Sequence, residues 1–105
     1  MKRYAIRKEA ALELAEAAAW YEHEAAEGLG AALLAEFEAR LETALKLPGA
    51  GTIVATTTAG TPVRRYRLQR FKRYAILMAE IRGMPTVLAF ACSSRRPGYW
   101  HERLG

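Results

Sequence analysis

Six cationic side chains, Arg64, Arg65, Arg67, Arg70, Lys72 and Arg73, lie within ten residues of one another. Two more, Arg95 and Arg96, open the closing run RRPGYWHERLG, where Tyr99 and Trp100 follow a Pro-Gly pair. Guanidinium groups pair bidentately with phosphate or carboxylate, and aromatic rings stack on nucleic-acid bases. Gathered on one surface, such groups could cleave RNA without a metal. The arginines would stabilise charge developing on the phosphate, and a tyrosine would move a proton. The same surface could instead hold an acidic partner. Tyr99 and Trp100 have a second reading as core residues covering one end of a sheet.

Other chemistries find few residues to carry them. There is no Gly-rich phosphate loop, no G-x-S-x-G elbow and no usefully placed Cys-His pair. The glutamates crowd onto helical stretches, where carboxylates usually serve solvation rather than paired acid-base work. His23 and His101 read as surface histidines. Cys92, the only cysteine, sits in the apolar run VLAFAC and is expected to be a small buried side chain. One Cys and two scattered His make no metal-ligand cluster, so no cofactor is expected. No run approaches the ~20 apolar residues of a membrane span, and MKRYAIRKEA shows no signal-peptide pattern. A cytoplasmic protein with no membrane partner is the expectation.

Charge is divided between the halves of the chain. Residues 1–50 carry six Lys or Arg against nine Glu, and residues 51–105 carry ten against two. A basic half of this kind attracts a polyanion: nucleic acid, an acidic protein or a phosphate-rich surface. At 105 residues and 51% hydrophobic content, residues 1–105 form one domain with a single modest core.

The elements that must position these groups follow from periodicity. RYAIR (residues 3–7) alternates as a half-buried strand. A helix begins near Lys8, with Ala11, Leu14, Ala15, Ala18 and Tyr21 on its apolar face and Glu9, Glu13 and Glu16 on another. Trp20 and Glu24 continue that acidic row, which places Trp20 off the apolar stripe. Gly28 ends this helix as a left-handed cap. A second helix runs from about Leu29 to Leu47, with Leu34, Phe37, Leu41, Ala44 and Leu45 inward, and PGAG (48–51) stops it. TIVATTTAGTP (52–62) reads either as a loop or as an irregular edge strand. VRRYRLQRF (63–71) puts Tyr66 and Leu68 on one face and Arg65, Arg67 and Gln69 on the other. RYAILMAEI (73–81) and TVLAFACS (86–93) are covered strands joined by RGMP (82–85). The expected fold is therefore α+β, β-α-α-β-β-β, a helical hairpin packed on a small antiparallel sheet.

That order, the hairpin AAAWYEHEAAEGLGAALLAEFEARLETALKLPGAG and the ending RRPGYWHERL resemble the RelE/ParE superfamily of type II toxin–antitoxin systems. The likeness lies nearest its ParE-like, plasmid-stabilisation branch. It spans almost the whole chain and rests on WYE in the first helix, GLG between helices, PGAG after the second, the Arg-rich strand leading into RF, and RRPGYW with a following Arg. It implies a growth-inhibiting toxin whose partner is a cognate antitoxin. The antitoxin's C-terminal segment would wrap the helices and sheet, making the row with Trp20 a docking surface. On the RelE branch, toxins cleave messenger RNA on the ribosome, and the matching positions here are Arg67, Arg73, Arg95 or Arg96, and Tyr99. On the ParE branch the associated target is DNA gyrase, without a nuclease site. Two departures matter. Ser93 and Ser94 stand where relatives often carry a His before the arginine pair, and RFKRY replaces RFPY. The first removes an acid-base group, so the resemblance favours a binder of an essential target over a metal-independent endoribonuclease. A harmless antitoxin-binding module is the third possibility. The expected binding residues are Trp20, Arg65, Arg67, Arg95, Arg96, Tyr99 and Trp100.

Overall fold

Alanine and other strong helix formers dominate from Lys8 onward, and the chain, after a two-residue strand β1 (Ala5–Ile6), enters helix α1 (Lys8–Trp20) there. A computed structural model describes residues 3–104; Met1, Lys2 and Gly105 lie outside the described residues. Helix α2 (Leu29–Lys46) follows, then strands β2 (Thr52–Thr56), β3 (Pro62–Arg67), β4 (Tyr74–Ile81) and β5 (Met84–Cys92). Short 3-10 turns cover Pro48–Ala50 and His101–Arg103.

The first helix does not run on to Gly28. At Tyr21 it widens into a π-helical turn, Tyr21–Ala25, closed by the Ala26 N–H on the Tyr21 carbonyl at 3.0 Å. The turn leaves Glu22 free to accept the N–H groups of Gly28 (2.8 Å) and Gly30 (3.0 Å). These are among the N–H groups that a helix start leaves without an intrahelical partner. The two bonds hold the Glu22 carboxyl below its usual range. Gly28 turns the chain at φ +89°, as its position in the sequence suggests. Gly30 lets the helices approach closely: a Cβ there would lie 2.6 Å from the Ala18 carbonyl oxygen.

The sheet has five strands in the order β1-β5-β4-β3-β2. Strands β2 to β5 are antiparallel neighbours, but β1 runs parallel to β5. The small antiparallel sheet expected from sequence is therefore a mixed one. No hairpin joins β1 to β5, so chain connectivity does not impose an antiparallel pairing. Residues 52–62 resolve as an edge strand plus turn, with Val54 inserted as a bulge between the pairs Ile53–Arg64 and Ala55–Val63. The connection 82–85 tightens to two residues, Arg82 (φ 52°) and Gly83 (φ 78°), the positive-φ pair of a type I′ hairpin.

Both faces of the sheet are covered. On one, Ala10 and Ala17 of α1 and Leu33, Phe37, Leu41 and Ala44 of α2 pack against Tyr66, Ile76, Val87 and Phe90. The inward position on α2 is Leu33, fully buried, whereas Leu34, expected inside, is 40% exposed. The stripe 33-37-41-44 keeps the helical repeat on one side. On α1, Ala11 and Ala15 are exposed and Ala10 and Ala17 are buried; a helix this rich in alanine marks its inner face weakly. On the opposite face of the sheet, Val63, Leu77, Leu88 and Ala89 lie under Trp100 of the C-terminal segment.

Candidate functional site

The face of the sheet away from the helices holds a cavity of about 280 Å³ lined by Arg65, Arg67, Lys72, Arg73, Arg95 and Arg96. Among the described residues, no carboxylate lines it. Three stretches of chain bring the cations together. Arg65 and Arg67 are two residues apart on β3, so the pleat sends both to one face, opposite Leu77 and Ala75 of β4. Tyr66, between them, points to the helices and donates to the Pro48 carbonyl at 2.7 Å. Arg64 also turns away, donating to the Gly51 carbonyl at 2.9 Å.

Lys72 and Arg73 come from the turn between β3 and β4, and α2 holds that turn. Glu36 accepts the N–H groups of Gln69 (2.5 Å), Arg70 (3.0 Å) and Phe71 (3.2 Å). Burial opposes ionisation of Glu36, but these three bonds outweigh it and keep the carboxyl below its usual range. Arg40 adds a bond from Nε to the Arg67 carbonyl at 2.8 Å. Glu36 thus works on the backbone rather than as solvation.

The C-terminal segment forms the remaining wall. Ser93 N–H donates to the Arg73 carbonyl at 2.7 Å, and Pro97–Gly98 turns the chain with Gly98 at φ 76°. The Arg95 guanidinium lies 4.0 Å over the Tyr99 ring, with that of Arg103 at 5.2 Å. The Tyr99 hydroxyl is enclosed, with no hydrogen bond of regular geometry, beside Glu13. Burial and that carboxylate push its phenol up to about 12. Trp100 belongs to the core, 8% exposed, and also lines the cavity.

Cys92 departs from expectation. It is half-buried and lines the cavity, its Sγ 3.0 Å from Ser94 Oγ. Burial would raise the thiol, but the Ser94 hydroxyl and N–H, with Arg73 nearby, bring it below its ordinary value. Glu13, read from sequence as part of a solvated row, is also turned inward. It takes two bonds of 3.0 Å from Arg103 and one of 3.1 Å from the Phe90 N–H.

The structure therefore unites Arg65, Arg67, Arg73, Arg95, Arg96, Tyr99 and Trp100 at one cavity. Trp20 stands apart. It lies at the end of α1, 50% exposed, with its ring edge-on to Tyr21 at 5.1 Å. Lys72 joins the site from the charged turn of RFKRY, a signal legible in the sequence. The roles of Glu13 and Glu36 had no such signal, because their partners lie 77 and 33–35 residues away. A second cavity, about 450 Å³, opens near the end of α2 among Leu45, Pro48, Tyr66, Met78 and Pro85. Its charged groups, Arg64 and Glu80, oppose each other in sign, so it lacks the polarity of the first.

Chemically, the cationic cavity can hold a phosphate or carboxylate through several guanidinium groups at once. Proton transfer is poorly served: Tyr99 is enclosed, the Tyr74 phenol is pushed up to about 12 by burial, and among the described residues no His lines the walls. The arrangement can hold an anion and places few proton-transfer groups beside it. No family model, curated protein or solved structure matches this chain. Among the described residues, no helix is long and apolar enough to cross a membrane.

Proposed function

We propose that this protein is the toxin of a type II toxin–antitoxin system, of the ParE-like kind within the RelE/ParE superfamily. It inhibits growth by gripping an anionic element of an essential cytoplasmic target, for which DNA gyrase is the expectation, and a cognate antitoxin neutralises it. The observation that carries this reading is the cavity with six cations and, among the described residues, no carboxylate. A surface so unbalanced in charge attracts an anionic occupant. The exposed apolar side chains Leu12 and Trp20 on α1 and Leu34 on α2 support a separate docking surface for the antitoxin.

The second reading is a metal-independent, ribosome-dependent endoribonuclease of messenger RNA. It is favoured by the convergence of Arg67, Arg73, Arg95 and Arg96, and opposed by the enclosed hydroxyl of Tyr99. Inducible expression in a bacterial host tests both. Growth arrest with intact transcripts and failing gyrase supercoiling supports the binder. Cleaved ribosome-bound messages support the nuclease. Unimpaired growth overturns the toxin reading.

A further inference from the structure

We propose that Glu13 is a positioning residue for the cationic cavity: by latching the C-terminal segment through Arg103 and Arg95, it sets the geometry in which the cavity binds anions. The inference rests on reading that cavity as the surface that grips an anionic group.

The latch occupies a gap in the sheet. Strand β1 pairs with β5 only at Thr86 and Val87. Beyond them the edge of β5 has no neighbouring strand among the described residues, and a bulge falls at Leu88, between the pairs Met78–Val87 and Leu77–Ala89. Unpaired backbone groups at such an edge need partners. Arg103 Nη1 donates to the Leu88 carbonyl at 3.1 Å, and the Phe90 N–H donates to Glu13 Oε1 at 3.1 Å. The carboxylate and guanidinium then meet as a two-bond fork, 3.0 Å on each side. Their side chains are only 10% and 14% exposed. This pair does at the bulge what a longer β1 would have done.

From the latch, order passes to the cavity. Arg95, Tyr99 and Arg103 recur every four residues, with the Tyr99 ring against both guanidinium groups. Arg95 Nη1 lies 3.6 Å from Glu13 Oε2. One carboxylate therefore neutralises two arginines that face the same ring. Without it they repel, the ring loses its clamp, and Arg95 and Arg96 lose their alignment with Arg65 and Arg67. Glu13 is not among the residues that line the cavity, so it acts through others.

Simple Coulomb attraction and positioning predict opposite signs. Removing a negative charge beside Arg95 raises the local potential and should tighten anion binding. Losing preorganisation should weaken it. Calorimetric titration of the full chain with inorganic tripolyphosphate decides. Glu13→Gln is expected to lower affinity about tenfold and to speed amide exchange chiefly in residues 93–104. Leu33→Ala, which weakens the opposite face, is expected to leave affinity within about twofold. Glu13→Gln binding as tightly as, or more tightly than, the parent overturns the inference. So does a parallel loss in Leu33→Ala, or a parent chain that does not bind tripolyphosphate.

If Glu13→Gln does not fold, Arg103→Lys keeps the charge and removes the fork. A loss of about threefold or more there supports the latch, and no loss overturns it. Growth assays separate the two readings. A chain that binds with this Glu13 dependence yet never arrests growth removes the toxin reading and leaves the latch standing. A chain that arrests growth, with affinity indifferent to Glu13, does the reverse.

Discussion

The two faces of the sheet are covered by different means. On the helix face, α1 and α2 lay a continuous set of apolar side chains over Tyr66, Ile76, Val87 and Phe90, and aromatic rings interlock, with Tyr74 stacked on Phe90 at 4.9 Å and Phe37 edge-on to Phe90 at 5.7 Å. On the other face a single C-terminal segment covers Val63, Leu77, Leu88 and Ala89 with Trp100, and stops short of the cationic cavity. The first face is packed with apolar and aromatic side chains, apart from the cavity near the end of α2. The second keeps guanidinium groups wet and mutually repelling, which opposes compactness and suits an incoming anion. Apolar packing is thus concentrated on one face and exposed positive charge on the other, and the carboxylates of Glu13 and Glu36 link the two. Both project from helices: Glu36 braces the turn that leads to Lys72 and Arg73, and Glu13 holds Arg103 and lies beside Arg95.

Substitutions can break this division, and the largest effect is expected in the helix-face core. Phe37→Ala should cost about 3–5 kcal/mol in chemical unfolding and leave tripolyphosphate affinity in the folded chain nearly unchanged. A matching loss of affinity would show that the faces are not separate. Arg67→Ala with Arg96→Ala inverts the test. Neither side chain forms an ion pair among the described residues. Affinity should fall about a hundredfold, its salt dependence should flatten, and the unfolding midpoint should hold or rise.

A smaller effect is expected at Glu36, where the faces are joined. Its carboxyl titrates below its ordinary value in the folded chain. Its contribution to stability is therefore complete above about pH 4.3 and is lost as pH falls through the lower, folded-state value. Glu36→Gln should be less stable near neutrality and show a flatter acid limb; coincident acid limbs would contradict the bracing role. The smallest change is expected at the hairpin tip. Arg82 holds φ 52°, which asparagine tolerates better, so Arg82→Asn should gain about 0.5 kcal/mol in thermal unfolding without touching affinity.

Much of the cavity was legible in the residues. Alternation along VRRYR sets Arg65 and Arg67 apart from Tyr66, and the covered strands were plain from RYAILMAEI and VLAFAC. PGAG marks where α2 stops, whereas Gly28 opens that helix rather than ending the first. These are local signals, carried by side-chain period and backbone permissiveness. The choice between Leu33 and Leu34 was not legible, since adjacent leucines differ by only 100° around a helix. Nor was the half-buried setting of Cys92, which depends on how the tail folds back beside Arg73.

By itself, the sequence determined the two-helix, strand-rich order, the segregation of acidic and basic halves, and the alternation that puts two arginines on one face of β3. Those follow from neighbours a few residues apart. Only the tertiary structure decided that β1 pairs in parallel with the last strand, that a π turn frees Glu22 to cap α2, and that Glu13 reaches Arg103 across 90 residues of chain. The Glu22 bond spans only six residues but needs the π turn and the packed helix pair, whereas the other two join groups distant in sequence. Such a partner is chosen by which backbone edge is left unpaired once the sheet has formed, and no local pattern records that.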